Sequence, residues 1–164
     1  MDFLTLERIQ LMHPKLRDEL LEDYKHANNK LLPKGVRLRF THTYRTNEEQ
    51  DKLYNQKPKV TNARGGQSIH NYGAAFDIVI LYDKDGNGSF ETASWAKDKH
   101  WMAVTNYFKS KGWVCGGDWK GKFQDAPHFE KTFGHTWKTL KTLVDNGEST
   151  SEVVNGFEYV FPKL

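Results

Sequence analysis

The stretch SIHNYGAAFDIVIL, from Ser68 to Leu81, ends in a run of Ala, Phe, Ile, Val and Leu residues that predicts a buried strand at about 74 to 81. Asp77 lies in the middle of this strand. Removing an ionised carboxylate from water costs several kcal/mol, of order ~5, unless a partner charge or a metal ion compensates it. His70, a short distance upstream, is the first candidate for such a partner.

Length and composition indicate one globular domain, spanning residues 1–164. Aromatic residues make up 13% of the chain, which favours a packed core. The net charge is +3 and no block of like charge predicts binding to nucleic acid. The single cysteine, Cys115, excludes an intrachain disulfide and a multi-cysteine zinc site, and it fits folding in a reducing cytoplasm. The acidic, amphipathic start does not predict a signal peptide, and no apolar run is long enough to span a membrane.

The hydrophobic pattern predicts an α+β fold with a small antiparallel sheet and packed helices, and the candidate ligands described below add a zinc cleft at the sheet. The core covers about 10–146, and Asn155-Gly156 between apolar runs predicts a C-terminal hairpin at about 152–161. Helices are predicted at 4–12, from Pro14, from the cap Thr46 to Tyr54, at 96–111 and at 135–145. Strands are predicted at 36–45, 74–81, 113–114 and 128–130.

Strand periodicity places Asp77 on one face of its strand with Ala75, Val79 and Leu81. His70 precedes this strand, and His128 begins another one. Two imidazoles and one carboxylate suit zinc, and three protein ligands leave a fourth position open, as in catalytic zinc sites. Asp125, three residues before His128, is our choice for the general base of a hydrolysis.

Three segments carry a resemblance to a known family: YRTNEEQDKLY, TNARGGQSIHNYGAAFDI and GGDWKGKFQDAPHFE. They resemble the zinc peptidases of the D-alanyl-D-alanine carboxypeptidase and L-alanyl-D-glutamate endopeptidase group, particularly short phage endolysins and their bacterial relatives. The resemblance runs over most of residues 10 to 140. The motif S-x-H-x-x-G-x-A-x-D, followed by a carboxylate-x-x-H, is satisfied by Ser68, His70, Gly73, Ala75, Asp77, Asp125 and His128.

The resemblance implies the fold shared by Hedgehog proteins and D-Ala-D-Ala peptidases, with zinc bound by His70, Asp77 and His128. It implies that Asp125 is the catalytic carboxylate, and an Asp at this position favours the endopeptidase branch. Arg45 matches an arginine that binds substrate and stabilises the developing oxyanion, and Ser68 matches a position near the substrate backbone. Cys115 departs from the tryptophan that many relatives carry before GG, which affects the wall of the cleft.

Each of these residues also has an ordinary structural interpretation. A single histidine is more often packed or solvated than a ligand, and Arg45 alone would be read as a surface ion pair. Asp125 alone could be a turn residue before Pro127, with Glu130 as the base instead, although Glu130 is better placed to support a ligand. We assign no function to the other histidines, which are His13, His26, His42, His100 and His135.

A second metal site is predicted in DKDGNGSFETAS, which follows the Asp77 strand. Calcium is the expected ion, because Asp83, Asp85, Asn87, Ser89 and Glu91 occupy ligand positions one, three, five, seven and nine of the calcium-loop pattern. Ser94 replaces the glutamate at position twelve, which predicts weak affinity. The alternative is a polar surface turn without an ion.

Together these features predict zinc-dependent hydrolysis of the stem peptide of bacterial peptidoglycan, at the L-alanyl-D-glutamate bond, by a phage-type endolysin. A D-Ala-D-Ala carboxypeptidase and a non-catalytic module that binds wall peptides are the alternatives. We expect a monomer that is made in the host cytoplasm and reaches the wall after release or export by another factor.

Overall fold

A computed structural model describes all 164 residues as one α+β domain, which confirms the predicted fold class. The helices are α1 (Phe3–Ile9), α2 (Pro14–His26), α3 (Asn47–Tyr54), α4 (Lys99–Ser110) and α5 (Trp137–Asp145). The strands are β1 (Val36–His42), β2 (Ala75–Tyr82), β3 (Thr92–Ser94), β4 (Val114–Cys115), β5 (His128–Glu130), β6 (Ser149–Val154) and β7 (Phe157–Pro162). None of the helices combines the length and apolarity that crossing a bilayer requires.

Strand β2 is the centre of the main sheet and carries the aspartate that the sequence placed in an apolar run. The sheet is antiparallel in the order β1-β2-β5-β4, and β3 pairs with the distal half of β2. Phe76, Ile78 and Ile80 on one face of β2 belong to the hydrophobic core. Asp77 points to the opposite face, so the predicted division of the strand into two faces is confirmed.

Aromatic rings fill the core beneath the sheet. Phe76 stacks on Phe40 of β1 and on Phe129 of β5, with ring centroids 4.3 and 5.2 Å apart. Phe108 of α4 meets Phe76 edge-on at 5.1 Å. These three strands are therefore fixed against one another by close packing directly under Asp77.

Helix boundaries follow the capping residues and differ slightly from the sequence prediction. Helix α3 begins where predicted, because the Thr46 hydroxyl accepts a hydrogen bond from the Glu49 N–H at 3.1 Å. Helix α4 begins at Lys99 rather than at 96, because the Asp98 carboxylate accepts from the N–H groups of His100 and Trp101, both at 3.0 Å. A one-turn π-helix, Ala27–Leu31, was not predicted.

The predicted strand at 36–45 ends earlier, at His42. In the sequence, His42 continues the alternation of Val36, Leu38 and Phe40, so a regular strand would place it on the same face as these residues. A bulge between Phe40 and His42 shifts the register, so that Phe40 still pairs with Ile78 but His42 pairs with Asp77. One extra residue in a strand reverses the side on which the following residues point.

The C-terminal hairpin β6-β7 is confirmed, with Asn155 and Gly156 both at positive φ in its turn. The hairpin packs behind the segment that carries His70. Phe161 is fully buried and lies so close to Gly73 that a Cβ there would come within 2.9 Å of its ring. Arg17 of α2 makes two hydrogen bonds with the Glu152 carboxylate, at 3.2 and 2.9 Å.

Candidate metal and catalytic site

The three predicted zinc ligands come together on the open face of the sheet. Asp77 of β2 and His128 of β5 are paired across the two strands, and paired residues point to the same face. His70 comes from a 3-10 turn, Ile69–Tyr72, which leads into β2. Gly73 ends this turn with φ of 69°, a left-handed conformation that glycine adopts without steric cost.

The ligand atoms face one another around a common point. The Oδ1 atom of Asp77 lies 3.3 Å from Nε2 of His70 and 3.2 Å from Nδ1 of His128. All three ligand atoms lie within 4.8 Å of one another. Both imidazoles are buried, whereas the Asp77 side chain keeps 18% of its surface exposed, so the site opens toward solvent on the carboxylate side.

Each of the two imidazoles has an inner nitrogen that faces Asp77 and an outer nitrogen that faces away from it. Both outer nitrogens contact a hydrogen-bond acceptor, and this determines which nitrogen carries the proton in the neutral ring. Nδ1 of His70 lies 2.8 Å from the carbonyl oxygen of Thr43, so it must donate. Nε2 of His128 lies 2.8 Å from Oε1 of Glu130, an acceptor when ionised. When the two imidazoles are neutral, protonation of both outer nitrogens leaves each inner nitrogen with a lone pair directed at the Asp77 carboxylate.

Three acceptors that face one another repel unless a positive charge lies between them. The donor set is therefore suited to a metal ion, and two histidines with one aspartate are ligands that zinc accepts. The outer contacts to Thr43 and Glu130 are the kind that orient metal-bound histidines. His70, Asp77 and His128 could hold the ion, as predicted.

The pKa values of Asp77 and His128 also show that the site stabilises positive charge. Burial alone would raise the pKa of Asp77, but the two histidines outweigh it and hold this pKa far below its usual range. Burial alone would lower the pKa of His128, but Asp77 and Glu130 outweigh it and raise this pKa to about 9. The electrostatics of the site thus favour a cation between the imidazole and the carboxylate.

Asp125 lies in the same cleft as the three ligands. Its carbonyl oxygen accepts a hydrogen bond from the His128 N–H at 3.1 Å, and its own N–H donates to the Gly116 carbonyl at 2.9 Å. Gly116 has no room for a side chain, because a Cβ would collide with the Asp125 carbonyl oxygen. Burial, followed by the Asp77 charge, raises the pKa of Asp125, which suits a group that accepts a proton.

Arg45 also lines the cleft, with Nη2 at 3.9 Å from Oδ2 of Asp77. Its Nη1 donates to Oε1 of Gln50 at 2.9 Å. The amide of Gln50 is buried and donates in turn to the Ala63 carbonyl at 2.8 Å. The guanidinium is therefore held in place from α3, and it is not the surface ion pair that the residue alone would suggest.

Ser68 and Glu130 take positions next to the ligands. The Ser68 hydroxyl lines the cleft and accepts from the His70 N–H at 3.3 Å, which caps the turn that carries His70. Glu130 holds His128 through the 2.8 Å contact, so it supports a ligand as the sequence analysis preferred. Trp119 covers one side of the site, with its ring 5.1 Å from that of His128.

The sequence analysis missed His42. Because of the bulge in β1, its imidazole faces the metal site instead of the core, with Nδ1 at 3.7 Å from Oδ2 of Asp77. No local sequence signal marks this bulge. His42 also lines the cleft.

The predicted calcium residues form a compact acidic turn. Ligand atoms of Asp83, Asp85 and Glu91 lie within 4.8 Å of one another. The carboxylate of Asp83 accepts hydrogen bonds from the N–H groups of Asn87 and Gly88, at 3.2 and 2.9 Å, and the Asn87 side chain accepts from the Ser89 N–H at 2.7 Å. These bonds explain the residue types without an ion, and calcium binding stays a prediction.

Comparison with known proteins agrees with this geometry. A family model described as D-alanyl-D-alanine carboxypeptidase matches residues 61–131, which include the three ligands and Asp125. The peptidoglycan L-alanyl-D-glutamate endopeptidase CwlK of Bacillus subtilis (strain 168) is 38% identical over 109 residues, or 59% of this chain. The match spans 62% of that relative's length. Both findings confirm the resemblance to this group of peptidases.

Proposed function

We propose that the protein hydrolyses stem peptides of bacterial peptidoglycan in a zinc-dependent reaction, at the bond between L-alanine and D-glutamate. The observation that carries the proposal is the convergence of His70, Asp77 and His128, with both outer imidazole nitrogens anchored, in one cleft with Asp125 and Arg45. The relative named as an L-alanyl-D-glutamate endopeptidase supports the choice of bond.

In this reaction zinc would supply a Lewis acid that polarises the scissile carbonyl and activates water. Asp125 accepts the proton of the attacking water and passes it to the leaving nitrogen. Its raised pKa and its position in the cleft suit both steps. Arg45 provides a fixed positive charge for the oxygen on which negative charge develops. Gln50 holds that guanidinium in place before the substrate binds.

The description of the matching family model makes cleavage of a terminal D-Ala-D-Ala bond the second candidate. Asp125, at the position where that branch usually carries a glutamate, favours the endopeptidase. A module that binds wall peptides without cutting them has no use for a carboxylate such as Asp125 in one cleft with a complete ligand set. Activity as a phage-type endolysin that reaches the wall through another factor, and as a monomer, belongs to the same proposal.

Mass spectrometry of fragments released from purified peptidoglycan tests the function. The zinc-loaded protein should expose new amino termini on D-glutamate, whereas free D-alanine would indicate the carboxypeptidase. His70→Ala, Asp77→Ala and His128→Ala should each lose stoichiometric zinc and nearly all release. No release by the zinc-loaded protein would reject hydrolysis altogether, and full zinc content in any of the three variants would reject the ligand set.

A further inference from the structure

A second, smaller pocket opens beside the metal cleft, along α3. It has a volume of about 240 Å³. The two cavities share His42, Arg45 and Leu53 as a common wall, so a molecule bound at the metal site can extend into this pocket. The complete lining consists of His42, Arg45, Glu49, Lys52, Leu53 and Gln56.

The bulge in β1 gives this pocket one of its polar walls. Regular pairing would place Thr41 opposite Asp77 and turn His42 into the core. The register shift instead places His42 opposite Asp77, where 55% of its side chain is exposed and it lines both cavities. Bulges that re-aim a side chain are frequent beside active sites. A neutral imidazole there can donate one hydrogen bond to a ligand.

The charges that face the pocket are mainly positive. Arg45 and Lys52 contribute two cations, and no carboxylate lies within 4.0 Å of the Lys52 ammonium. Glu49 is the one acidic residue of the lining, and its carboxylate accepts from the Thr46 hydroxyl at 3.1 Å at the start of α3. Gln56 adds an amide that can donate. The donors in this pocket therefore suit an anion.

We infer that this pocket binds a carboxylate of the substrate next to the scissile bond, through Lys52, Arg45, His42 and Gln56. This inference rests on the proposed function. In a bacterial stem peptide, D-glutamate is joined onward through its side-chain carboxyl, so its main-chain carboxylate is free and adjacent to the bond with L-alanine. The pocket adjoins the metal site, where that carboxylate would lie during cleavage.

Two synthetic peptides distinguish a carboxylate site from a general polar contact. Both contain N-acetyl-L-alanyl-γ-D-glutamyl-L-lysine, and they differ only in whether the main-chain carboxylate of the D-glutamate is free or amidated. Binding to the zinc-loaded Asp125→Asn variant is measured by calorimetry, and cleavage by the unaltered protein is measured in parallel. A charged hydrogen bond predicts that the free carboxylate binds about tenfold more tightly than the amide.

Lys52→Met removes the unpaired cation but keeps the apolar stem of the side chain. In the Asp125→Asn background it should reduce the preference for the free carboxylate at least about threefold, because one exposed ammonium supplies only part of it. Lys97→Met, which removes an exposed lysine that is not part of the lining, should keep the preference. Equal affinity for the two peptides, or an unchanged preference in Lys52→Met, would overturn the carboxylate site even if both peptides are cleaved. Cleavage of neither peptide by the unaltered protein would instead overturn the proposed function.

Discussion

Replacing Glu130 by alanine tests whether the outer contact of His128 controls metal binding. Oε1 of Glu130 lies 2.8 Å from Nε2 of His128, and it holds the tautomer that presents Nδ1 to the metal. Without this acceptor the proton can move to Nδ1, which would block the ligand position. We therefore expect weaker zinc affinity in a protein that still folds, because Glu130 is at the end of a strand whose core residue is Phe129.

Removing such an outer contact typically weakens metal binding about 10- to 100-fold, which corresponds to about 1.4 to 2.7 kcal/mol. The Glu130 side chain is 20% exposed, so water can replace part of the lost acceptor. We expect a loss near the middle of the range, about 30-fold. Glu130→Gln keeps a neutral acceptor at the same position, and its loss should stay below about tenfold.

The zinc dissociation constants are measured by competition with a chromophoric chelator, for the unaltered protein and for both variants. Glu7→Ala, which removes an exposed glutamate of α1, is the matched control and should bind zinc normally. Thermal unfolding of the metal-free variants shows whether they remain folded. If Glu130→Ala binds zinc as tightly as the control, or if Glu130→Gln is the weaker variant of the two, the reasoning about the tautomer is wrong.

Three further changes have defined outcomes. Asp125→Asn should fold and retain zinc but lose at least about 100-fold in turnover, because it removes the proton acceptor, and near-normal turnover would move that role elsewhere. Burial lowers the pKa of His13 and outweighs the opposite effect of the Pro162 carbonyl. The folded protein therefore favours the neutral imidazole, and its free energy of unfolding should decrease as the pH falls below about 6.5, the pKa of histidine in the unfolded chain. The loss of unfolding temperature between about pH 7.5 and pH 5 should therefore be smaller in His13→Asn than in the unaltered protein, and an equal loss in both would contradict the assignment to His13. If the loop at Asp83 binds calcium, calorimetry should give a dissociation constant of about 10⁻⁵ to 10⁻³ M, and Asp83→Asn should abolish the binding. The absence of any heat of binding at millimolar calcium would reject the calcium site.

Local sequence signals were sufficient to predict most elements and to point to residues that could hold a metal ion. Helix α3 was predictable because Thr46 caps it, and the C-terminal hairpin because Asn155-Gly156 readily adopts positive φ. Asp77 was identifiable because an ionised carboxylate in an apolar strand requires compensation, and strand periodicity also placed it on the correct face. These properties depend on residues close together in the chain, so the sequence alone determines them.

Contacts between distant segments decided the rest of the site. The bulge turns His42 toward Asp77 while Phe40 stays paired with Ile78 of β2 and stacked on Phe76 in the core. Gln50, which holds Arg45, is in turn held by the Ala63 carbonyl of a separate loop. Sequence periodicity assumes a regular strand. It carries no information about the close packing of aromatic rings in the core, so it does not predict where a strand takes up an extra residue. The sequence therefore determined which residues can bind a metal, whereas tertiary packing determined which side chains surround it.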